Sequence, residues 1–129
     1  MLKLGLFNTT ILSAFCISAC TAGAPQKNSN PYLALGEHLA SCKAYSEEFQ
    51  HPFTKSTEER KIVGFEGDKC IYVESMPNNG EMRCEYSEAL RTSVANYYKS
   101  ITLPATFSST EKTPLSEAMD AGVCTISGY

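Results

Sequence analysis

The sequence KCIYVESMPNNGEMRCEY, residues 69–86, decides the fold. Its middle, Pro-Asn-Asn-Gly at 77–80, is rich in turn-forming residues, and Asn-Gly is one of the strongest short-range hairpin signals. The flanking runs contain β-branched and aromatic residues, which favour strands. The stretch therefore predicts an antiparallel hairpin with strands at 69–74 and 81–86.

The hairpin belongs to a predicted meander of about four antiparallel strands. The turn Gly67-Asp68 joins its first strand to an upstream strand. His51-Pro52 ends the strand before that, because proline cannot donate to a sheet ladder. A polar loop at 53–59 separates these two strands. The predicted strands are 42–50, 60–66, 69–74 and 81–86, and residues 123–129 are a candidate last strand.

Helix signals lie on both sides of the meander. Asn30-Pro31 is typical of a helix start, with Asn as the N-cap and Pro at the first helical position. Ser87 is the expected cap of a second helix, which cannot continue through Pro104. The apolar stripes are Tyr32, Leu35, Leu39 and Cys42 in the first helix and Leu90, Val94, Tyr97 and Ile101 in the second.

Near the end of the chain, Thr113-Pro114 predicts the start of a short helix that ends at Gly122. The expected fold class is therefore α+β, with an N-terminal helix, an antiparallel meander of about four strands, a C-terminal helix and a short tail, held by two disulfides. Residues 31–129 have the length of a single globular domain.

Composition narrows the possible partners. The chain has 129 residues, of which 43% are hydrophobic and 19% are charged, as is usual for a globular domain. Its formal charge is −3, and its longest basic run is Arg60-Lys61. Binding to nucleic acid requires a positive surface, so we exclude nucleic acid as a partner.

The first residues predict an export signal. Lys3 precedes a mostly apolar run at 4–17, which polar residues at 8–10 interrupt. The run is shorter than the roughly 18 apolar residues that mark a membrane-spanning helix. We therefore expect residues 1–19 to be a signal peptide that is removed from the mature protein.

Ile-Ser-Ala-Cys at 17–20 resembles the lipobox of bacterial lipoproteins, in which an aliphatic residue and two small residues precede an acylated cysteine. The resemblance implies that Cys20 carries a diacylglycerol on its thiol and an acyl chain on its amine, and that Cys16 leaves with the signal. Thr21 stands where the family's inner-membrane retention signal has Asp. In a Gram-negative cell this implies an anchor in the outer membrane.

Residues 20–30 then form a lipidated tether. The segment is small and polar and has no periodicity, which is typical of a flexible linker. Ten residues reach at most roughly 35 Å when extended and about 16–19 Å as a random coil, so the domain would stay close to its membrane. The alternative is simple secretion: Ala22-Gly23-Ala24 also fits a signal peptidase, and cleavage after Ala24 would discard Cys20 and release a soluble domain.

The remaining cysteines are Cys42, Cys70, Cys84 and Cys124, which an exported protein is expected to pair as two disulfides. A four-residue loop at 77–80, or a two-residue turn, places Cys70 and Cys84 on opposite faces of the hairpin. A three-residue loop puts them on the same face but four residues out of line, beyond the roughly 7 Å Cα limit of a disulfide. In a meander Cys42 lies about two strand spacings from Cys70 and three from Cys84. The prediction is Cys42–Cys70 with Cys84–Cys124, and the alternative is Cys42–Cys84 with Cys70–Cys124.

The chain shows no convincing motif for catalysis or metal binding. His38, His51 and the four cysteines lack the spacing of zinc ligands, and the two histidines are expected to be ordinary surface or half-buried residues. The run from Ser109 to Lys112 matches the S-x-x-K motif of penicillin-recognising enzymes, but the companion elements are missing from the sequence. The adjacent carboxylates at 47–48 point to opposite faces of a strand and cannot form an acid–base pair. We expect no metal, no cofactor and no enzymatic activity.

Two features are candidate contact sites. A hairpin tip and a pair of helical tyrosines, of which only one can point fully into the core, carry residue types that are enriched at interfaces. The sequence thus favours a lipid-anchored, non-enzymatic binding or assembly module of the cell envelope, with the membrane and an envelope protein as partners. An inhibitor of an envelope or host hydrolase that uses the hairpin as its probe is the alternative. The candidate residues are Met76, Pro77, Asn78 and Asn79 at the tip and Tyr97 and Tyr98 on the helix.

Overall fold

The structure is a computed structural model that describes residues 30–51, 53–102 and 110–129. The predicted leader, Cys20, the tether up to residue 29 and Ser109 of the S-x-x-K match lie outside the described residues. The elements are α1 (Leu33–Ala40), β1 (Tyr45–Gln50), β2 (Thr57–Glu66), β3 (Lys69–Met76), β4 (Gly80–Tyr86), α2 (Glu88–Ser100), α3 (Pro114–Asp120) and β5 (Cys124–Ser127).

The α+β prediction is confirmed. The five strands form one antiparallel sheet in the order β1-β2-β3-β4-β5, so every strand pairs with its neighbour in sequence. We call the side of the sheet that α2 covers the helix face, and the other side the open face. Burial of apolar side chains beneath the helices supplies the main stabilising free energy. The core includes Leu35, Leu39, Ile62, Cys70, Tyr72, Met82, Cys84, Tyr86, Val94 and Tyr98.

The first helix begins at Leu33, two residues later than the predicted start. Asn30 caps a turn instead of the helix, because its side-chain oxygen accepts a hydrogen bond from the backbone N–H of Tyr32 at 2.8 Å. The predicted apolar stripe is confirmed: Leu35, Leu39 and Cys42 are buried.

The starts of two strands were predicted wrongly, and β3 runs two residues further than predicted, to Met76. β1 begins at Tyr45, because Cys42 has a φ of 51° and lies in the left-handed region, which a strand cannot include. β2 begins at Thr57, so the last three residues of the predicted loop at 53–59 belong to the sheet. The reason is pairing: Thr57 lies opposite Gln50, and the ladder between β1 and β2 extends to the last residue of β1.

The register of the central hairpin differs from the prediction. Met76 pairs with Gly80, which leaves a three-residue loop, Pro77–Asn79, instead of a four-residue one. Asn78 and Asn79 have φ values of 63° and 62°, and Asn tolerates this left-handed conformation better than most residues. Gly80 therefore joins β4, and the alignment of the strands shifts by one residue.

The shift places Cys70 and Cys84 on the same face, where both are fully buried, so the prediction that they lie on opposite faces was wrong. The predicted pairing is nevertheless confirmed: Cys42–Cys70 joins the end of α1 to β3, and Cys84–Cys124 joins β4 to β5. Cys70 lies opposite Tyr86, two residues from Cys84, and such diagonal neighbours are separated by about 7–8 Å, at the limit for a disulfide.

The second helix buries a different tyrosine from the one expected on its apolar face. Ser87 caps the helix as predicted, with its side-chain oxygen accepting from the N–H of Leu90. Tyr98 is only 6% exposed, whereas Tyr97 is half-buried beside it. Val94 and Ile101 are buried as predicted, so the stripe differs from the prediction in that Ala95 and Tyr98 are buried and Tyr97 is not. The third helix has the predicted cap at Thr113, whose side chain accepts from the N–H of Ser116 at 3.1 Å.

Helices α1 and α2 approach closely at Gly36. A Cβ atom at this position would lie 2.9 Å from the carbonyl oxygen of Ala95 and 2.8 Å from Cγ of Lys99. We therefore expect Gly36→Ala to lower the free energy of unfolding by about 1–2 kcal/mol, even though alanine favours helix by about 1 kcal/mol, because the helices must separate. Urea unfolding measures the change. Glu37→Ala, on the exposed side of the same helix, is the control and should change the free energy by less than about 0.5 kcal/mol. A stabilised Gly36→Ala variant would contradict the close packing.

Candidate functional site

The candidate site is built around Arg60, which is only 6% exposed and is the one buried charged side chain among the residues that the structure describes. Alternation along β2 puts it on the same face as Ile62, under the helices. Its direct partner on β1 is Glu47. β1 and β2 thus bring two opposite charges together on the helix face.

A carboxylate holds the buried guanidinium in place. Nε of Arg60 donates a hydrogen bond to Glu47 at 2.6 Å, and the hydroxyl of Tyr45 donates to the second carboxylate oxygen at 2.8 Å. Burial acts to lower the pKa of Arg60, but the hydrogen bond and negative charge of Glu47 outweigh it, so the pKa lies above its ordinary value. The hydrogen bond to Glu47, together with burial, also raises the pKa of Tyr45. Arg60 is therefore a permanent positive charge.

Aromatic rings enclose the guanidinium on two sides. Cζ of Arg60 lies 4.6 Å from the ring centroid of Tyr32 and 4.9 Å from that of Phe49, distances at which cation–π attraction operates. The Tyr32 ring in turn stacks on Tyr98, with centroids 5.7 Å apart and planes 13° apart. The result is a column, Tyr98–Tyr32–Arg60–Phe49, which links α2, α1, β2 and β1.

A cleft of about 380 Å³ opens beside this column. Among the described residues, only Nε of the Arg60 guanidinium has a hydrogen-bond acceptor, so Nη1 and Nη2 are available to a ligand. A guanidinium fork suits a planar group with two acceptor oxygens, such as a carboxylate. The cleft residues are Pro31, Tyr32, Glu47, Glu48, Phe49, Gln50 and Arg60.

The core contains three buried tyrosines, Tyr72, Tyr86 and Tyr98, of which Tyr98 belongs to the column. The hydroxyl of Tyr72 donates to Glu74. Burial raises the pKa of Tyr72, Tyr86 and Tyr98, chiefly because a phenolate would lose its hydration there. The polar layer of the core is therefore neutral except for Arg60 and its carboxylate partners.

The hairpin tip does not project a methionine as expected. Met76 is half-buried and packs against the core, while Asn78 and Asn79 are exposed. The ring of Tyr129 covers the base of the tip, since a Cβ atom on Gly80 would lie 2.8 Å from Cζ of that ring. Tip residues line a shallow cleft of about 460 Å³, whose members are Thr57, Glu58, Ser75, Met76, Asn78, Asn79, Gly80 and Glu81. Pro77 is half-buried beside them.

The two adjacent tyrosines of α2, Tyr97 and Tyr98, have different roles. Tyr98 is a core residue that supports the Arg60 column, so it is unavailable as the exposed contact that was one of the candidates. Tyr97 is half-buried, and its ring centroid lies 6.1 Å from that of Tyr98. The pair therefore contributes to the Arg60 site only through packing.

The two histidines have structural contacts. His38 stacks on Tyr45 with centroids 4.3 Å apart, and Nδ1 of His51 accepts from the N–H of Thr54 at 3.2 Å. No group of three or more His, Cys, Asp or Glu residues in the described ranges is placed to hold a metal ion. None of the helices within those ranges has the length and apolar character needed to cross a bilayer.

Sequence reasoning missed the Arg60 cleft because it considered Arg60-Lys61 only as a short basic run. One signal was present: Arg60 lies two residues before Ile62, so the strand period puts both on one face. A buried arginine requires a partner, and a carboxylate on the neighbouring strand was the obvious candidate. The partner could be named only after the register of β1 and β2 was known.

The buried ion pair leads to a direct test. Glu47→Gln removes the charge that faces Arg60, and we expect it to lower the free energy of unfolding by about 1.5–3 kcal/mol, the range for hydrogen bonds to charged groups. The matched control is Glu48→Gln, the next residue, whose side chain is exposed and takes no part in the ion pair. Its effect should stay within about 0.5 kcal/mol. Equal effects in urea unfolding would show that the pair contributes nothing.

Comparison with known proteins gives no family for this chain. No family model matches it, and neither the curated proteins nor the solved structures contain a match. Its function has to be argued from the residues described above.

Proposed function

We propose that the protein is a lipid-anchored, non-enzymatic binding module of the cell envelope, and that its Arg60 cleft holds a hydrogen-bond acceptor group of an envelope partner protein. The anchor is supported by the lipobox resemblance at 17–20. The binding role is supported by one observation above all: a guanidinium held by Glu47 and two aromatic rings lines a cleft, and its Nη1 and Nη2 have no hydrogen-bond acceptor among the described residues.

The chemistry of the cleft suits recognition. Arg60 stays protonated at any physiological pH and cannot act as an acid or base. Both carboxylate oxygens of Glu47 already accept hydrogen bonds, which orients them toward Arg60 and Tyr45. A rigid, charged and preorganised group of this kind favours affinity and specificity, because little conformational entropy is lost on binding.

Intact mass spectrometry of the protein extracted from membranes tests the anchor. We expect a chain that begins at Cys20 and carries the mass of a diacylglycerol and one further acyl chain. Cys20→Ala should abolish both the modification and the membrane association. A soluble form that begins at Pro25 would refute the anchor and favour simple secretion.

A photo-crosslinker at Gln50, which lines the cleft, tests the binding site in intact envelopes. We expect a discrete cross-linked partner whose yield falls by about tenfold or more in Arg60→Lys, because lysine keeps the charge but loses the fork. Arg83→Lys is the matched control, since Arg83 lies on the open face in an ion pair with Glu66. Undiminished cross-linking of a folded Arg60→Lys variant would refute the cleft as the site. A hydrolase captured from Asn78 instead would favour the inhibitor alternative.

A further inference from the structure

Several segments meet at one end of the sheet, which we call the tether end. Because consecutive strands are antiparallel, residues 53–56, which precede β2, and the loop Pro77–Asn79 lie at the same end. β5 also finishes there, with Ser127 opposite Glu81. The tether end is defined by these two loops, the start of the described chain at Asn30 and the last residue, Tyr129.

Asn30 fixes the point at which the N-terminal segment leaves the domain. Its side-chain amide donates to the carbonyl oxygens of Tyr98 at 2.7 Å and Lys99 at 3.2 Å, in the last turn of α2. Its side-chain oxygen accepts from the N–H of Tyr32 at 2.8 Å. Pro31, the next residue, lines the same cleft as Gln50, the last residue of β1, so the start of the described chain lies at the tether end, about ten residues from Cys20 in sequence.

The tether end exposes large apolar side chains. Phe53, in the loop between β1 and β2, is 89% exposed, and its one ring contact among the described residues is with His51, at a centroid distance of 5.9 Å. Tyr129 is 76% exposed beside the hairpin loop, and Leu33 in the first turn of α1 is 44% exposed. Aromatic side chains of this kind are favoured at the boundary between lipid headgroups and acyl chains.

The charges at this end are balanced. Among the residues that the structure describes, Lys55 and Lys99 are the cations of this end, and Glu58 and Glu81 are the carboxylates nearest the two loops. Glu58 accepts hydrogen bonds from Ser56 at 2.7 Å and from Ser75 at 3.0 Å. Attraction of the tether end to a lipid bilayer therefore depends on its apolar side chains, and we expect it to vary little with the charge of the lipids.

We propose that the tether end rests on the lipid bilayer and that Phe53 inserts into the interface. The inference rests on the proposed lipid anchor at Cys20. The tether leaves the domain at the same end as Phe53, so an anchor at Cys20 keeps this side chain close to the bilayer. The local concentration of lipid around Phe53 is therefore high. Under that condition a single aromatic contact with the bilayer is enough to orient the domain. The partner that the tether end contacts is the membrane that holds the anchor.

The chain contains no tryptophan, so Phe53→Trp introduces a single fluorescent reporter. The acylated full-length protein is reconstituted into vesicles of phosphatidylethanolamine and phosphatidylglycerol that contain lipids with brominated acyl chains. We expect the emission of the indole at position 53 to shift to the blue and to be quenched by the bromines. Phe65→Trp is the matched control: Phe65 is 56% exposed but lies next to the Gly67-Asp68 turn, at the opposite end of the sheet, and the emission of an indole there should not be quenched.

Flotation of the vesicles separates the two proposals. Protein that floats with the vesicles is anchored, and an unshifted, unquenched emission from the Phe53→Trp variant in that fraction would overturn membrane contact while leaving the anchor intact. Equal quenching of the two reporters would also overturn it, because the domain would then have no preferred end. Protein that does not float would overturn both the anchor and the contact that depends on it.

Discussion

A variant that lacks both disulfides is expected to be unfolded at room temperature. The bridges span 28 residues between Cys42 and Cys70 and 40 residues between Cys84 and Cys124. In the chain-entropy model, loops of these lengths stabilise the folded state by about 3.5–4 kcal/mol each. Their sum, about 7–8 kcal/mol, is comparable to the whole stability of a typical domain, which is about 5–15 kcal/mol.

Urea unfolding of three alanine variants tests this expectation: one for each bridge and one for both. Each single-bridge variant should keep a cooperative transition at a lower urea concentration, and the double variant should show none. Reduction of the wild-type protein without any substitution is the control, because it breaks the same bonds and leaves no space where the sulfurs were. A double variant that unfolds cooperatively within about 2 kcal/mol of the wild type would show that the core alone holds the fold.

Above pH 10 the free energy of unfolding is expected to fall steeply with pH. Tyr72, Tyr86 and Tyr98 have raised pKa values in the folded protein because they are buried. In the unfolded chain they ionise near pH 10, so in alkali the unfolded state binds fewer protons than the folded state. This contribution to stability is complete below pH 10 and is lost as the pH rises toward the folded-state pKa values. Each tyrosine contributes a slope of up to about 1.4 kcal/mol per pH unit, or about 4 kcal/mol for the three.

Phenolate absorbance and circular dichroism, recorded together against pH, measure this effect. The three buried tyrosines should ionise in the same transition in which the secondary structure is lost. Tyr86→Phe should reduce the slope by about a third, because the main contact of the Tyr86 hydroxyl is the distant Sγ of Cys124, at 4.0 Å, and its removal leaves the core packed. Ionisation of all seven tyrosines before any loss of structure would contradict the burial of this layer.

The predictable part of the fold is the part that depends on local chemistry. Turns at Gly67-Asp68 and at the asparagines of the central loop, together with strand-forming runs, were enough for the antiparallel meander. Caps at Ser87 and Thr113 gave the starts of two helices. The register of the central hairpin was not predictable in this way, because the sequence allows Gly80 to end the loop or to begin the strand.

Burial of the helix face decides between these registers. Only the three-residue loop turns Cys70 and Tyr72 toward the helices together with Cys84 and Tyr86, and this arrangement buries all four side chains. The cysteine pairing was predicted correctly although the register was wrong. In both the predicted and the observed register, the distance between Cys70 and Cys84 along the strands argues against a bridge between them.

The Arg60 site could not be predicted from local sequence patterns, because its residues come from separate elements of the fold. Glu47 becomes the partner of Arg60 only through the register of β1 and β2, which are joined by an irregular loop. Tyr32 arrives from the start of α1, whose position depends on the close approach to α2 at Gly36. Sequence can identify a buried arginine from the strand period, but the groups around it are set by tertiary packing.

The order of the disulfides also has a consequence for biosynthesis. Each bridge joins cysteines that are consecutive among the four, the first with the second and the third with the fourth. In a chain that emerges from a translocation channel amino terminus first, Cys42 and Cys70 can be oxidised before Cys84 appears, and Cys84 then needs only Cys124. An oxidase that links cysteines in their order of emergence produces the native pairs directly, so maturation does not require the slow reshuffling of wrong bridges.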